Sequence, residues 1–210
     1  MKSFVTADWH LGEDRFQLMG RPFNNVDEHI DTLVKNHNSV VRPDDMVYML
    51  GDVCYQKAPE YLSQVSRFNG KKTLVRGNHD KVFTDEQLRP YFDAIYIEGQ
   101  GFSMEIDGIL CYLTHYPTEG LNLHFNLVGH IHAAWKYQLN MFNVGVDANH
   151  FFPVDLETIP FHFTAIEKYY DRDVWAAYEE INTVHRRTRG KRTTYFRPDS
   201  KPFDIPTIRL

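Results

Sequence analysis

Short apolar runs that stop abruptly at a polar residue recur through the first 150 positions. Residues 2–7 form the first and close on Asp8-Trp9-His10; residues 46–50 close on Gly51-Asp52; residues 72–75 lead into Arg76-Gly77-Asn78-His79-Asp80. Runs of this length, rich in β-branched and aromatic side chains, predict buried strands. Between the first two, Val26, Ile30, Leu33, Val34 and His37 recur at helical spacing after an Asn24-Asn25 start signal and before Pro43. That pattern predicts a helix over residues 26–41, and residues 59–68 predict a second, stopped by Asn69-Gly70.

The later part of the chain changes character. Residues 94–98, 102–106 and 109–114 are closely spaced runs with Gly-rich turns, Asp107-Gly108 among them, and predict hairpins. The third run ends in His115, a run at 126–128 ends in Gly129-His130-Ile131-His132, and a run at 141–146 closes on Asp147. Residues 166–181 have helical spacing, with Ile166, Tyr169, Tyr170, Asp173, Val174 and Ala177 along one side; beyond Gly190 the period is lost and three prolines punctuate an extended tail. The expected organisation is one folded unit over residues 1–183 and a tail over residues 184–210.

Composition narrows the setting. A chain of 210 residues with 42% hydrophobic and 14% aromatic content can bury a sizeable core, which excludes wholesale disorder. No apolar run approaches the ~18–20 residues of a membrane helix, and a charge at Asp8 arrives before a signal-peptide core could form. Two cysteines, Cys54 and Cys111, make neither a disulfide framework nor a thiolate zinc site. A cytoplasmic, reduced chain with no membrane partner is the expectation. The net charge of −5 is uneven: residues 184–210 carry eight Lys/Arg against Asp199 and Asp204, a net +6 that leaves −11 for the rest. An acidic body argues against broad nucleic-acid adhesion, while the tail leaves local phosphate contact open.

Asp8, His10, Asp52, Asn78, His79, His115, His130 and His132 all fall just past an apolar run, and open α/β sheets assemble ligand sites at the carboxyl ends of their strands. Aspartate oxygens, an amide oxygen and imidazoles without thiolates suit hard or borderline divalent cations. The set is larger than one ion can use. It suits two ions ~3.5–4 Å apart that share a carboxylate, an arrangement used for in-line displacement at phosphorus. Asp52, alone at its strand end, is the natural bridge.

In order, Asp8-x-His10, Gly51-Asp52, Gly77-Asn78-His79-Asp80, His115 and Gly129-His130-x-His132 resemble the calcineurin-like metallophosphoesterase superfamily over residues 3–147. Gly-Asn-His-Asp alone should arise by chance in roughly one chain in a thousand on average usage. Arg21-Pro22-Phe23, His115-Tyr116-Pro117 and Asn143-Val144-Gly145-Val146-Asp147 further resemble small single-domain bacterial and phage members. Gly12-Glu13-Asp14-Arg15 departs from the Gly-His-x-Asn that such members often carry, which alters the lip of the site rather than its ligands.

The resemblance implies an α/β (α+β) fold, a two-sheet β-sandwich flanked by helices. It implies that Asp8, His10 and His132 hold one metal, that Asn78, His115 and His130 hold the other, and that Asp52 bridges. His79 would face the scissile phosphate as a proton donor, its ring oriented by Asp80. Arg15, Arg21 and Arg76 are candidates for substrate phosphate. The expected activity is dinuclear hydrolysis of phosphodiester or nucleotide-type phosphoesters by a metal-activated hydroxide, with Mn²⁺ favoured and Fe, Zn²⁺ or Ni²⁺ as alternatives. The expected partner is the phosphoester substrate, a nucleotide or nucleic acid among them. Competing readings are a phosphomonoesterase or protein phosphatase of the same superfamily, or a nucleic-acid-binding protein on the same scaffold. His29, His37, His124, His162 and His185 lack acidic company and read as surface or packing residues. His150, soon after Asp147, is compatible with either role.

Overall fold

The computed structural model describes residues 1–169. Their strands form two five-stranded sheets. In the first, β1 (Ser3–Thr6), β2 (Met46–Met49), β3 (Lys71–Val75) and β4 (Ala94–Tyr96) lie side by side, each parallel to the next. The second contains β5 (Phe102–Ile106), β6 (Ile109–Thr114), β7 (Phe125–Val128), β8 (Tyr137–Gln138) and β9 (Met141–Asn143), in the order β5-β6-β7-β9-β8. There β6, β7 and β9 are parallel and the two edge strands antiparallel. A short β10 (Val154–Asp155) then returns antiparallel to β1.

Parallel strands covered on both faces read as unbroken apolar runs, and that is why these strands lack a polar alternation. Consecutive residues point to opposite faces. Val5, Leu50 and Val75 pack inward against Leu113, Leu127 and Phe142 of the second sheet, while Met49 and Leu74 pack outward. Truncating Leu113 or Leu127 to Ala would cost about 2–5 kcal/mol.

The helices flank this sandwich: α1 (Phe16–Met19), α2 (Val26–Val40), α3 (Asp85–Leu88) and α4 (Ile159–Tyr169). Asn25 caps α2 by accepting the Glu28 N–H at 2.8 Å, and Asp27 and Glu28 complement the helix dipole in its first turn. Ile30 and Leu33 of α2 then cover the outer face of the first sheet. Among the described residues, no helix is long and apolar enough to cross a membrane.

Four local expectations are corrected. Pro59–Arg67 is a 3₁₀ rather than an α-helix. Its buried positions, Leu62, Val65 and the following Phe68, recur every three residues, which matches the 3₁₀ repeat. The run after residue 94 does not begin a hairpin: β4 pairs with β3 in the first sheet, and only β5 and β6 form the hairpin, across Asp107-Gly108. The strand expected over 141–146 leaves its sheet early. Val144 still donates to Val128 O at 2.8 Å, but Gly145 bridges to Ala7 and Val146 donates to Ala7 O at 3.0 Å, so the chain switches from the second sheet to the first. The final helix starts earlier than expected, at Ile159, and the rest of the segment expected over 166–181 lies outside the described residues, as does the basic tail.

Candidate metal centre

The loops beyond β1 and β2 continue the pairing of their strands. Asp8 donates to Gly51 O at 3.0 Å, His10 to Asp52 O at 3.0 Å and Leu11 to Val53 O at 2.9 Å; Tyr55 returns a bond to Leu11 O at 2.9 Å. This zipper fixes Asp8, His10 and Asp52 side by side. Gly51 is required at its place: its φ is +81°, and an added Cβ would stand 2.5 Å from Gly77 N and 2.6 Å from His115 Nδ1.

Asp8, His10, Asp52, His130 and His132 all adopt left-handed backbone conformations, with φ of 62°, 50°, 56°, 75° and 49°. Each costs of order 1 kcal/mol and persists only where its surroundings over-determine it. Those surroundings are visible. Asp8 accepts the His130 N–H with both carboxylate oxygens at 3.0 Å, tying the first sheet's loop to the second's. Asp52 accepts the His79 N–H at Oδ1, 2.8 Å away, which leaves Oδ2 facing His10 Nε2 at 3.3 Å and His115 Nε2 at 3.6 Å. His115 donates from Nδ1 to Leu50 O at 2.7 Å, so Nε2 keeps its lone pair for the site, 3.3 Å from Asn78 Oδ1.

The donor set fits divalent cations. His10 is 2% exposed, yet its Nδ1 has no hydrogen-bond partner and its Nε2 meets only Asp52 Oδ2, 3.3 Å away, an arrangement that is costly unless something else binds there. Burial, with Asp52's charge adding to it, raises the Asp8 pKa well above the usual carboxylate range, and a cation beside it would favour the charged form. Burial acts the same way on Asp52, but His10, His115 and the His79 N–H outweigh it and hold its pKa low. Potential ligand atoms of His10, Asp52 and His79, and of Asp52, His115 and His130, lie within 4.8 Å of one another. Asp52 belongs to both groups.

His79 therefore reaches the cluster too. Its Nδ1 accepts the Gln56 N–H at 3.3 Å, which places the ring proton on Nε2, the form of a donor rather than a ligand. Burial lowers its pKa. Asp80 does not orient it. The Asp80 carboxylate is buried and accepts the N–H groups of Asp52, Val53 and Gly77 at 2.8, 2.9 and 2.8 Å, binding the β2 and β3 loops together. Burial raises its pKa to about 7.

Two of the three arginines are structural as well. Arg21, its side chain inaccessible to solvent, forks onto Asp147 at 2.7 and 2.8 Å and donates to Asp8 O and Trp9 O at 2.6 and 3.0 Å. Arg76 bonds Asp80 O, Phe83 O and Asp85. Arg15 is different: its side chain is 47% exposed, its guanidinium lies 4.7 Å over the Tyr55 ring, and buried Glu13 grips it at 2.8 and 2.7 Å. Tyr55 in turn lies 5.8 Å from the His79 ring.

Two neighbours had no assigned role in the sequence reading. Tyr116 packs edge-on against His115 and His130, at 4.7 and 4.8 Å. Asp147 accepts from His132 Nδ1 at 2.8 Å; a carboxylate directly after a strand end was the available signal. His29 and His37 are buried in packing positions, His124 bonds Ser103, His162 bonds Tyr137 and His150 is exposed; His185 lies outside the described residues.

A chain with this fold and this cluster of ligand-type residues has relatives. The family model for calcineurin-like phosphoesterases matches residues 1–176, so the chain belongs to that family, whose chemistry is metal-dependent hydrolysis of phosphoesters. The uncharacterized protein MJ1445 of Methanocaldococcus jannaschii is 31% identical over 172 residues, covering 75% of this chain and 89% of its own. The Gene 66 protein of Mycobacterium phage L5 is 36% identical over 81 residues, 37% of this chain and 39% of its own. Among solved structures, AQ665 of Aquifex aeolicus, a protein of unknown function, superposes with a TM-score of 0.61 at 25% identity, over 76% of this chain and 97% of its own.

Proposed function

We propose that this chain is a dinuclear phosphoesterase acting in the cytoplasm on phosphodiester or nucleotide-type bonds. Asp8, His10 and His132 would hold one ion, Asn78, His115 and His130 the other, and Asp52 would be shared. One observation carries this reading: a single oxygen, Asp52 Oδ2, faces His10 at 3.3 Å and His115 at 3.6 Å, one histidine from each ligand set. Mn²⁺ is the favoured occupant, with Fe, Zn²⁺ or Ni²⁺ as alternatives, because the donors are oxygen and imidazole nitrogen without thiolate. When bound, the ions supply an activated water and neutralise charge on the phosphoryl oxygens.

The chain's own residues do the remaining work. His79 holds a proton at Nε2 for the leaving oxygen, and Asp52 Oδ1 fixes the His79 backbone while Oδ2 serves the ions. The β1–β2 zipper and Asp80 keep the ligand loops from spreading. A monoester brings up to two negative charges and a diester one. Arg15, Arg21 and Arg76 are each already paired with a carboxylate, which supports the less charged diester. Arg15, half-exposed beside Tyr55, is the guanidinium best situated to meet a substrate base or ring. The two free buried cysteines suit a reducing cytoplasm.

The test is hydrolysis by the Mn²⁺-loaded full-length protein of a chromogenic diester against the matched monoester, followed by a nucleotide panel. Higher kcat/KM on the diester is expected. Preference for the monoester would move the chain to the phosphatase reading. The net +6 of residues 184–210 supports contact with a polyanionic substrate. Removing residues 186–210 should then weaken polynucleotide binding while sparing small esters; equal affinity without them would end that part of the proposal.

A further inference from the structure

His132 and His115 are supported in different ways. His115 Nδ1 donates to a neutral backbone carbonyl, that of Leu50, at 2.7 Å. His132 Nδ1 instead meets a carboxylate oxygen, Asp147 Oδ2, at 2.8 Å, and the same oxygen receives Arg21 Nη2 at 2.8 Å. Arg21 Nε holds the other oxygen at 2.7 Å, so the carboxylate is clamped along its whole edge. Both partners are inside the protein, with side-chain exposures of 0% for Arg21 and 4% for Asp147.

The same guanidinium also reaches the other side of the site. Nη2 donates to the carbonyl of Asp8 at 2.6 Å and Nη1 to that of Trp9 at 3.0 Å, in the loop where Asp8 holds its left-handed φ of 62°. Arg21 is therefore one rigid fork joining the backbone of Asp8 to the ring of His132, two residues brought from different sheets. Asn143 secures the far end, donating to His132 O at 2.6 Å and accepting the Gly145 N–H at 2.9 Å, just before Asp147.

We propose that Arg21 and Asp147 are positioning residues for the ion held by Asp8, His10 and His132, a proposal that rests on the dinuclear reading above. Asp147 fixes the tautomer of His132, keeping the proton on Nδ1 and the lone pair on Nε2, and fixes the plane of the ring. A carboxylate behind an imidazole also makes the distal nitrogen a stronger donor, and loss of such a partner typically weakens metal binding 10–100-fold. Arg21 holds that carboxylate in register with Asp8, so the two ligands cannot drift apart when the site is empty of charge. The Arg21 side chain thus serves the metal, and it is not available to substrate.

The experiment is Mn²⁺ titration of the metal-free full-length protein, read by the spin-resonance signal of free Mn²⁺, for wild type, Asp147→Ala, Asp147→Asn, His132→Ala and the double variant Asp147→Ala/His132→Ala. Asp147→Ala is expected to weaken one class of site by roughly 10–100-fold and leave the other within about twofold. Asp147→Asn, which retains an acceptor for the His132 N–H, should recover part of the loss. The double variant should bind no more weakly than His132→Ala alone, because Asp147 acts through that ring. If Asp147→Ala fails to fold, the Asn variant alone and combined with His132→Ala carries the same cycle. Additive losses, or equal weakening of both classes, would overturn the positioning role. Unchanged binding in His132→Ala would overturn the ligand assignment beneath it, and this proposal with it.

Discussion

Asp8, His10 and Asp52, on the loops beyond β1 and β2, are exposed by 2% or less, whereas His130 beyond β7 is exposed and His132 keeps 29% of its side chain accessible. The first sheet's loops are held by a backbone zipper and by three N–H groups converging on Asp80. Two of the second sheet's histidines are reached through side chains, Asp8 to the His130 N–H and Asp147 to the His132 ring, while buried His115 is tied to the Leu50 carbonyl at the end of β2. The first sheet thus contributes buried charge and rigidity, and the loop beyond β7 in the second contributes imidazoles near the opening. Cations and substrate would enter from the second side and be anchored by the first.

The largest effect should fall on the anchored side. Asp52→Asn should lower kcat/KM by roughly 10⁴-fold, because in the proposed dinuclear site charge stabilisation would be lost at both ions. His130→Ala, at an exposed position that water can refill, should cost roughly 10²-fold or less on the same argument. Matched losses for the two variants in steady-state assays would break the comparison between the sheets and remove the bridging role of Asp52.

His79 lies on the rigid side, and in the proposed mechanism it faces the leaving oxygen. His79→Asn should keep both ions and slow turnover by roughly 10²–10⁴-fold, the usual worth of a positioned proton donor. The deficit should shrink for nitrophenolate esters, whose leaving group needs little protonation. A uniform loss across leaving groups of very different pKa, or loss of metal from the variant, would assign His79 another role.

Asp80 separates support from chemistry. Asp80→Ala strands three buried N–H groups and should cost about 3 kcal/mol of stability in urea unfolding. The metal-loaded folded variant should keep the leaving-group dependence of the wild type. If the rate falls as in His79→Asn while stability holds, Asp80 acts on the His79 ring after all.

The underside of the first loop brings in pH. Trp9, between the proposed ligands Asp8 and His10 in sequence, stacks on Phe68 at 4.0 Å and meets His37 edge-on at 5.6 Å. Burial lowers the His37 pKa from 6.5 to about 4, while its bond to the Asn69 carbonyl opposes that shift. The unfolded chain takes up the proton first as pH falls. His37 therefore adds stability that is fully present above about pH 6.5 and is lost as pH falls toward 4. The loss from pH 7 to pH 5 should be about 2 kcal/mol. His37→Gln, which has no such titration, should lose correspondingly less in urea unfolding over that interval; an unchanged pH slope would show that His37 does not carry it.

The sequence pattern conveyed the strand ends well, because each apolar run is short, doubly buried and followed at once by its polar residue. Side-chain direction was another matter. Adjacency suggested that Asp80 serves His79, but the turn that bonds Asp80 N to Gly77 O at 3.2 Å directs its carboxylate to the β2 loop instead. Arg21 looked free because its partner, Asp147, stands 126 residues away. Burial and long-range pairing decide what an arginine does, and neither leaves a local mark. The pairing of β4 with β3 was hidden for a similar reason, since partner choice for β4 depends on the exposed edge of β3 and not on the turn residues that follow it.

The smallest effect should belong to Arg15, half-exposed beside Tyr55. The guanidinium rests on Tyr55, which neighbours His79, and its Nε and Nη2 are committed to Glu13. Such a guanidinium, half-exposed over a tyrosine ring, can stack on a nucleobase without forming a new ion pair. A stacking contact at an exposed site is worth about 1 kcal/mol, or roughly fivefold in affinity. Arg15→Ala should therefore raise KM about fivefold for the nitrophenyl ester of thymidine 5′-monophosphate, with kcat little changed, and leave methyl nitrophenyl phosphate unaffected. Glu13→Gln, which loosens the grip without removing the plane, should give a smaller rise. Equal changes for both esters would mean that Arg15 meets the phosphate rather than the base, and would return it to the role its charge first suggested.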